Sequence, residues 1–225
     1  DLNDTIGHYA MASAIDTFQA IEAASNAVKS WSRSTSLVRA EALDKIGTEI
    51  VARKDELGDM LAREEGKTLR EATAEAHRAG SLFKYFAQDA FRETVSGFRS
   101  IRDNVELEVR REPTGVVGVI TPWNFPLAIP AWKIAPALAY GNTVVFKPAE
   151  LVPGSAWMLS DIISRAGLPE GVFNLVMGHG RDVGQAIVDH PDVAGVSFTG
   201  STAVGRKIGA ALFQRGARMQ LEMGG

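Results

Sequence analysis

The first ninety or so positions carry apolar residues at helical spacing. Three stripes, which begin at Ile15, Leu37 and Leu69, repeat apolar side chains every three or four residues. Charged residues fill the outer faces, as expected for helices that pack on one side only. The pattern predicts a helical N-terminal part that covers residues 1–98.

The pattern changes near Gly97, where apolar and charged residues begin to alternate. In the stretch NVELEVRREP, Val105, Leu107 and Val109 fall on one side and charged residues fall on the other. Alternation with a period of two is typical of a half-exposed strand. We therefore predict a strand or hairpin arm over residues 99–113.

From Gly115 onward, short apolar runs alternate with helical patterns. Strands that are apolar on both faces and separated by helices indicate a parallel sheet covered on both sides. The predicted fold class is therefore α/β, a doubly wound, Rossmann-like parallel sheet over residues 114–225. The runs are GVVGVIT, NTVVFKP, GVFNLVMG, VAGVSFTG and RMQLEMGG, and the helical patterns cover about 127–140, 154–166, 181–189 and 202–215.

Ligands of such folds bind beyond the carboxyl ends of the strands. The residues that follow the five apolar runs are therefore expected to face one crevice. These segments are Thr121–Pro126, Lys147–Glu150, Gly178–Gly184, Thr199–Gly205 and Glu222–Gly225.

The composition argues against several classes of function. The 225 residues carry a net charge of -3, so neither nucleic acid nor an anionic membrane is expected as a partner. Cysteine is absent, which excludes disulfides, thiolate metal sites and a cysteine nucleophile within this stretch. The four histidines are scattered without ligand spacing, so no metal site is expected.

No signal peptide or membrane-spanning segment is predicted. The most apolar stretch, GVITPWNFPLAIPAWKIAPALAYG, contains Lys133 and prolines that would break a spanning helix. A buried loop that leads into a core helix is the favoured interpretation. The sequence starts at Asp1 without a methionine, so we expect a processed, trimmed or incomplete N-terminus, and we expect a cytoplasmic location.

The stretch FTGSTAVGRKIG is suited to phosphate binding. Gly200 follows a predicted strand and Gly205 lies in the first turn of the next helix, where free amides favour anions. Ser201 can cap this helix or donate to phosphate. The pattern is close to a P-loop, but Arg206 and Lys207 replace the lysine and the magnesium-binding hydroxyl, which disfavours a nucleoside triphosphatase. A tight turn without a ligand is the other open interpretation.

Two other strand ends carry candidate cofactor ligands. VMGHGRDVG places Gly180 and Gly184 after a strand, a pattern that is more often a turn than a dinucleotide site. FKPAE places Lys147 and Glu150 where a lysine can pair with phosphate or ribose oxygens and a carboxylate can accept both ribose hydroxyls. A solvated lysine–glutamate pair is the alternative.

Two side chains are candidates for catalysis. In TPWNFP, Pro122 and Pro126 fix a loop around Asn124, whose amide can donate to an oxygen that gains negative charge. A helix-capping role for Asn124 is the alternative. Glu222 follows an apolar strand, and in an apolar pocket its carboxylate would lose hydration, its pKa would rise, and it could act as a general base. A solvated glutamate at a strand end is the alternative.

Taken in order, TPWNFP, KPAE, FTGSTAVG and LEMGG resemble the motifs of the aldehyde dehydrogenase superfamily, with Met223 in place of the usual leucine. The spacing of the motifs and the helical N-terminal part are also similar, so the resemblance covers essentially the whole chain. It implies oxidation of an aldehyde to a carboxylic acid with NAD or NADP, with Asn124 stabilising the oxyanion and Glu222 activating water. The candidate cofactor-binding residues are then Thr121, Trp123, Lys147, Glu150, Gly180, Gly184, Thr199, Gly200, Ser201 and Gly205.

The resemblance also implies a nucleophilic cysteine downstream of the glutamate motif, beyond Gly225. We therefore expect these 225 residues to be an N-terminal fragment that lacks the catalytic domain and does not oxidise aldehydes alone. The strand arm corresponds to part of the family's oligomerisation element. A homodimer or homotetramer is expected for the complete chain.

The stretches REPTGVVGVITPWNFPLAIPAWKIAPALAYGNTVVFKPAELVPGSAW and RAGLPEGVFNLVMG most resemble α-ketoglutaric semialdehyde (2,5-dioxopentanoate) dehydrogenases. Members that act on succinic semialdehyde tend to have an arginine where this chain has Trp132, so succinic semialdehyde is the alternative substrate. Glu150 suits the ribose hydroxyls of NAD, yet members with this glutamate can also use NADP. A free-standing dinucleotide-binding or interaction module without catalysis is the competing class of function, and a P-loop phosphotransferase is a third.

Overall fold

A computed structural model describes residues 5–92 and 95–224 of the chain. Asp1 and Gly225, which entered the expectations about the two ends of the sequence, lie outside the described residues. Within those two ranges, no helix is both long enough and apolar enough to cross a membrane.

The N-terminal part is helical, as the three apolar stripes predict, but it forms four helices because the second stripe is divided at Arg53. Ser13 and Thr68 begin the first and fourth helices with reciprocal side-chain caps, which satisfy amides that have no partner inside the helix. The second and fourth helices cross closely at Gly47 and Gly80. The helices are α1 (Ala14–Ser32), α2 (Ser36–Ala52), α3 (Lys54–Glu65) and α4 (Leu69–Asp89).

The alternating stretch forms the second strand of an antiparallel hairpin. Its two strands are β1 (Val95–Arg99) and β2 (Glu106–Arg110), with Val95 opposite Arg110. The hairpin is almost wholly exposed, in agreement with the predicted arm. The hairpin begins at Val95, before the predicted start of the arm at residue 99. The sequence did not indicate this first strand, because β1 lacks the strong alternation that marks β2.

All five apolar runs form strands of one parallel sheet. The strand order is β5-β4-β3-β6-β7, so the chain runs outward from β3 in one direction and then returns to extend the sheet from β6 in the other. This confirms the doubly wound fold class and defines a switch point between β3 and β6, where ligands bind in such sheets. The strands are β3 (Val116–Ile120), β4 (Thr143–Lys147), β5 (Phe173–Leu175), β6 (Val193–Gly200) and β7 (Arg218–Met223).

Helices cover both faces of the sheet's centre. The connecting helices are α5 (Ala128–Ala139), α6 (Pro153–Ser164), α7 (Gln185–Asp189) and α8 (Thr202–Gln214). Along β4, Val144 and Phe146 belong to the core that includes α2 to α6, while Val145 belongs to the core that includes α7 and α8, and α1 contributes to both cores. A single π-helical turn, Gly180–Gly184, leads into α7.

The expectation of two covered faces is wrong for β7. Five of its six residues are exposed, and only Leu221 is partly buried. The strand pairs with β6 along one edge and packs on α8 through one face, while its other face borders a cleft beside α5. The run RMQLEM therefore correctly predicted a strand, but the prediction that this strand is buried on both faces is wrong.

Candidate functional site

A cleft of about 290 Å³ lies at the carboxyl ends of β3, β4 and β6. It sits at the switch point of the sheet, as the strand order requires. The fold thus brings together residues from three separated motifs. The predicted residues that line it are Thr121, Lys147, Glu150, Thr199, Gly200 and Ser201.

Thr121 provides a polar atom without a partner in this cleft. Its side chain is 4% exposed, and its Oγ1 is buried without a hydrogen bond from any described residue. A buried hydroxyl without a partner costs free energy, which a bound polar ligand can recover. This atom therefore supports a ligand site at the end of β3.

Lys147 brings a positive charge to the same cleft. Its side chain is buried, and its Nζ donates to the carbonyl of Pro148 at 2.8 Å and lies 3.8 Å from Glu150 Oε1. Burial lowers the pKa of Lys147, while the charge of Glu150 acts in the opposite direction. An ammonium with remaining donor capacity at this depth suits an anionic or hydroxyl-bearing ligand.

Glu150 is held by the segment that carries the predicted glycines. Its Oε1 accepts from the Gly180 amide at 2.7 Å, and its Oε2 lies 3.0 Å from His179 Nδ1. The His179 contact, the Gly180 amide and Lys147 keep the pKa of Glu150 below its ordinary value despite partial burial. Gly184 lies beside Lys147, since a Cβ there would be 3.9 Å from Lys147 Cδ. The glycine segment and the lysine–glutamate pair therefore form one site.

His179 was not among the predicted site residues. It contacts Glu150 across 29 positions of sequence, and this pairing depends on how β4 and β5 align. The available signal was its place between Gly178 and Gly180 in VMGHGRDVG. With Arg181 it lines a second depression of about 260 Å³ beside the carboxylate.

The N-terminus of α8 closes the cleft opposite β4. Ser201 caps the helix by accepting from the Val204 amide at 3.4 Å. Glycine at 200 and 205 leaves room for neighbouring side chains, because a Cβ on Gly200 would lie 2.5 Å from the Phe198 ring and a Cβ on Gly205 would meet the end of the Met223 side chain. The packing role and a phosphate-binding role are compatible, since both need the backbone to approach closely.

A larger cleft of about 530 Å³ lies between α5 and β7. Thr199 lines both clefts and pairs in register with Glu222 across β6 and β7. The strand pairing therefore connects the candidate base to the candidate cofactor residues. The lining includes Trp132, Lys133, Ser197, Gln220 and Glu222.

Glu222 differs from its predicted environment. It lies within β7, its side chain is exposed, and its Oε1 accepts from Gln220 Nε2 at 2.6 Å. The predicted desolvation of this carboxylate is therefore wrong in the described structure. The reason is that β7 is an edge strand and that Glu222 borders the cleft beside α5 instead of being packed under a helix.

Lys133 is a further polar residue of this cleft that sequence reasoning did not select. It is buried on α5, and its Nζ donates to Ser197 Oγ and to Gln220 Oε1, both at 2.9 Å. Burial lowers its pKa to about 8, against the opposing effect of Glu222. A lysine inside the apolar helix AIPAWKIAPALA was the signal that could have identified it.

Asn124 and Trp123 are exposed and line neither cleft. The carbonyl of Asn124 accepts from Lys67 Nζ at 3.1 Å. The alternative in which Asn124 caps α5 is wrong, because Leu127 is the N-cap position and its amide is bound by Glu75. The loop is thus fixed by the helical layer, and the catalytic role of the Asn124 amide stays a prediction.

Comparison with known proteins gives a consistent result. The sequence profile described as the aldehyde dehydrogenase family matches residues 2–225. The chain is 44% identical to an alpha-ketoglutaric semialdehyde dehydrogenase of Bacillus subtilis over 225 residues, which are 100% of this chain and 46% of that protein. It is 43% identical to a 2,5-dioxopentanoate dehydrogenase of Saccharolobus solfataricus over 93% of this chain and 44% of that protein.

A succinate-semialdehyde dehydrogenase of Arabidopsis thaliana, described as mitochondrial, is 41% identical over 93% of this chain and 40% of its own length. Among solved structures, betaine aldehyde dehydrogenase from Staphylococcus aureus in complex with NAD+ matches with a TM-score of 0.95 and 34% identity. That match covers 99% of this chain and 44% of the other. The chain therefore spans less than half the length of the relatives it matches.

Proposed function

The chain belongs to the aldehyde dehydrogenase family. We propose that it takes part in the oxidation of an aldehyde with NAD or NADP, and that it supplies the cofactor cleft, the oxyanion donor and the general base. One observation carries the proposal. The unpartnered hydroxyl of Thr121, the ammonium of Lys147 and the carboxylate of Glu150 converge at the switch point of the sheet. A nicotinamide dinucleotide is a ligand with phosphate and hydroxyl groups that match these three.

The cofactor cleft fits such a ligand by the chemistry of its own residues. Lys147 has donors left for ribose or phosphate oxygens, and Glu150 can accept ribose hydroxyls if they replace the contacts to His179 and Gly180. The first amides of α8, after Ser201, provide an anion site for the pyrophosphate. When bound, the nicotinamide ring would supply a hydride acceptor.

In the proposed reaction, Asn124 donates its amide to the oxygen of the aldehyde as negative charge develops there. Glu222 takes a proton from the water that cleaves the acyl intermediate. The nucleophile is a cysteine outside these 225 residues, since none occurs within them. An exposed Glu222 tied to Gln220 provides a base that can reach water readily.

We propose α-ketoglutaric semialdehyde as the substrate. Support comes from the names of the Bacillus subtilis and Saccharolobus solfataricus relatives at 44% and 43% identity. Trp132, which lines the larger cleft, also stands where members acting on succinic semialdehyde tend to have an arginine. Succinic semialdehyde is the second candidate, supported by the Arabidopsis thaliana relative at 41% identity.

We also propose a domain division, an oligomeric state and a location. The proposed division has a helical part at 1–98, an oligomerisation arm at 99–113 and a dinucleotide-binding core at 114–225. The separate two-stranded and five-stranded sheets support a boundary between arm and core, while β1 begins at Val95, before the proposed start of the arm. A homodimer or homotetramer of the complete protein, and a cytoplasmic location, complete the proposed description.

The proposal is tested with the purified protein that carries this chain in its natural length. Production of reduced nicotinamide is followed by absorbance with NAD+ or NADP+, using α-ketoglutaric semialdehyde, succinic semialdehyde and acetaldehyde. The highest kcat/KM is expected for α-ketoglutaric semialdehyde. Cofactor binding without oxidation of any aldehyde would contradict the proposal and favour a binding module.

A further inference from the structure

Glu75 is a buried carboxylate of the helical layer that binds the start of α5. Glu75 lies on α4 and is 4% exposed. Its Oε1 accepts from the Leu127 amide at 2.9 Å and from the Ala128 amide at 3.1 Å. No side chain of the loop itself caps α5, because Leu127 occupies the N-cap position. Glu75 therefore supplies the cap that the local sequence lacks, from 52 positions away.

The second oxygen of Glu75 leads directly to the Asn124 loop. Its Oε2 pairs with Lys67 Nζ at 2.5 Å, and the same Nζ donates to the carbonyl of Asn124 at 3.1 Å. Lys67 also lies 4.3 Å from the centre of the Phe125 ring. One carboxylate and one ammonium thus hold the main chain at the carbonyl of Asn124 and again at the start of α5.

The contacts of Lys67 favour its charged form. Burial opposes the charge of Lys67, but hydrogen bonds to Glu75 and Glu65 outweigh it and raise the pKa of the lysine. Lys67 is therefore positively charged throughout the neutral range. Removing Lys67 would take the counter-charge from the buried carboxylate of Glu75, whereas removing Glu75 would leave Lys67 paired with Glu65 but without its link to α5.

From these contacts we infer that Glu75 and Lys67 are positioning residues for Asn124. They fix the carbonyl of Asn124 and the first amides of α5, and so they hold the backbone from which the Asn124 side chain projects. An oxyanion donor must be in place before charge develops, because a donor that has to reorient loses much of its effect. The inference rests on the proposed role of Asn124.

Glu64 provides a matched control in the same layer. Its carboxylate, on α3, accepts from the Gly154 amide at 2.6 Å and the Ser155 amide at 2.9 Å, and so it caps α6 in the way that Glu75 caps α5. The helix it caps follows Lys147 and Glu150 and lies on a different connection of the sheet. Loss of Glu64 removes an equivalent carboxylate without touching the Asn124 loop.

The test is a double-mutant cycle on the full-length protein, with kcat and the KM for cofactor measured for each variant. Glu75→Gln keeps an amide oxygen for the cap and loses the ion pair. It is expected to lower kcat by about 10- to 100-fold, the usual effect of a displaced catalytic group, with little change in the KM for cofactor. In the Asn124→Ala background the same substitution is expected to lower kcat by less than about threefold, because the group it positions is gone.

Glu64→Gln should behave differently from Glu75→Gln. Its effect on kcat should be the same factor in the wild type and in the Asn124→Ala background, and its larger effect should be on the KM for cofactor. Lys67→Met serves as the second variant if Glu75→Gln does not fold, with the same expected coupling to Asn124→Ala. Lys67→Arg should restore part of the lost kcat.

Three results would overturn the inference. Glu75→Gln and Lys67→Met could leave kcat unchanged, or they could lower it by equal factors in both backgrounds, which would indicate a structural role only. In either of these cases, the proposed function would still stand if Asn124→Ala alone lowers kcat strongly. An unchanged kcat in Asn124→Ala itself would remove the oxyanion role and the positioning inference with it.

Discussion

Lys133 of α5 and Gln220 of β7 are joined by a hydrogen bond of 2.9 Å across the larger cleft. The amide of Gln220 then donates to Glu222 at 2.6 Å. A neutral amide therefore links a buried ammonium to the candidate base. The orientation of Glu222 on an exposed edge strand depends on this chain of contacts, since no other described group hydrogen-bonds its carboxylate.

The first prediction concerns the pH dependence of stability at Lys133. The pKa of Lys133 is about 8 in the fold and returns to 10.5 on unfolding, so between these values the unfolded state binds more protons. This lysine therefore makes the free energy of unfolding rise as pH increases from about 8 toward 10.5. Lys133→Met removes the contribution.

Urea unfolding of both proteins at several pH values measures this effect. The wild type should gain stability relative to Lys133→Met as pH rises from about 7 to about 10. Parallel curves for the two proteins would show that Lys133 keeps its ordinary pKa in the fold.

The second prediction concerns Asn124. Asn124→Ala should lower kcat by about 10²- to 10³-fold, because one oxyanion donor is lost. Affinity for the cofactor should stay the same, since Asn124 lines neither cleft. Steady-state kinetics and a cofactor titration separate the two effects, and Asn26→Ala on the exposed face of α1 is the matched control. A loss of cofactor affinity with normal turnover would contradict the assigned role.

The third prediction concerns cofactor choice at Glu150. Its carboxylate repels a 2′-phosphate, so Glu150→Gln should lower the Kd for NADP+ by about tenfold, a modest effect for an incompletely buried charge. The Kd for NAD+ should rise, because the acceptor for ribose hydroxyls is weaker. Equilibrium binding of both cofactors measures the ratio, with the exposed Glu170→Gln as control. An unchanged ratio would place the ribose elsewhere.

The fourth prediction concerns the crossing of α2 and α4. A Cβ on Gly47 would lie 2.7 Å from the carbonyl oxygen of Gly80 and 3.0 Å from the Lys84 amide. Because both atoms are backbone, the helices would have to separate, and Gly47→Ala should cost about 1–3 kcal/mol of stability. Gly97→Ala, where a Cβ meets nothing within 4 Å, is the control. Helix propensity alone favours alanine by about 1 kcal/mol, so an unchanged or increased stability would contradict the crossing.

Much of the fold could be predicted because its signals are local. Apolar stripes marked the helical region of α1 to α4, although not the break between α2 and α3, and apolar runs marked all five strands of the parallel sheet. The convergence of Thr121, Lys147 and Glu150 also followed from sequence, since parallel strands place their carboxyl ends at one edge. These residues required no knowledge of side-chain contacts.

The remaining site residues depend on contacts between distant segments. Glu75 has the sequence context of a solvated helix residue, and only the packing of α4 against α5 brings it to the Leu127 amide. His179 and Lys67 likewise acquire their partners through the tertiary fold. The burial of Glu222 was wrongly predicted for a related reason, because an apolar strand pattern does not tell whether its second face is covered.

The proposed role of Glu222 is tested most directly by pre-steady-state kinetics of Glu222→Gln in the full-length protein. With saturating cofactor and aldehyde, the account predicts a burst of reduced nicotinamide close to one per site, followed by a steady state slowed by about 10²-fold or more, because hydride transfer precedes the hydrolysis that needs the base. Affinity for the cofactor should stay unchanged. A steady-state rate equal to that of the wild type would contradict the assignment of Glu222 as the general base.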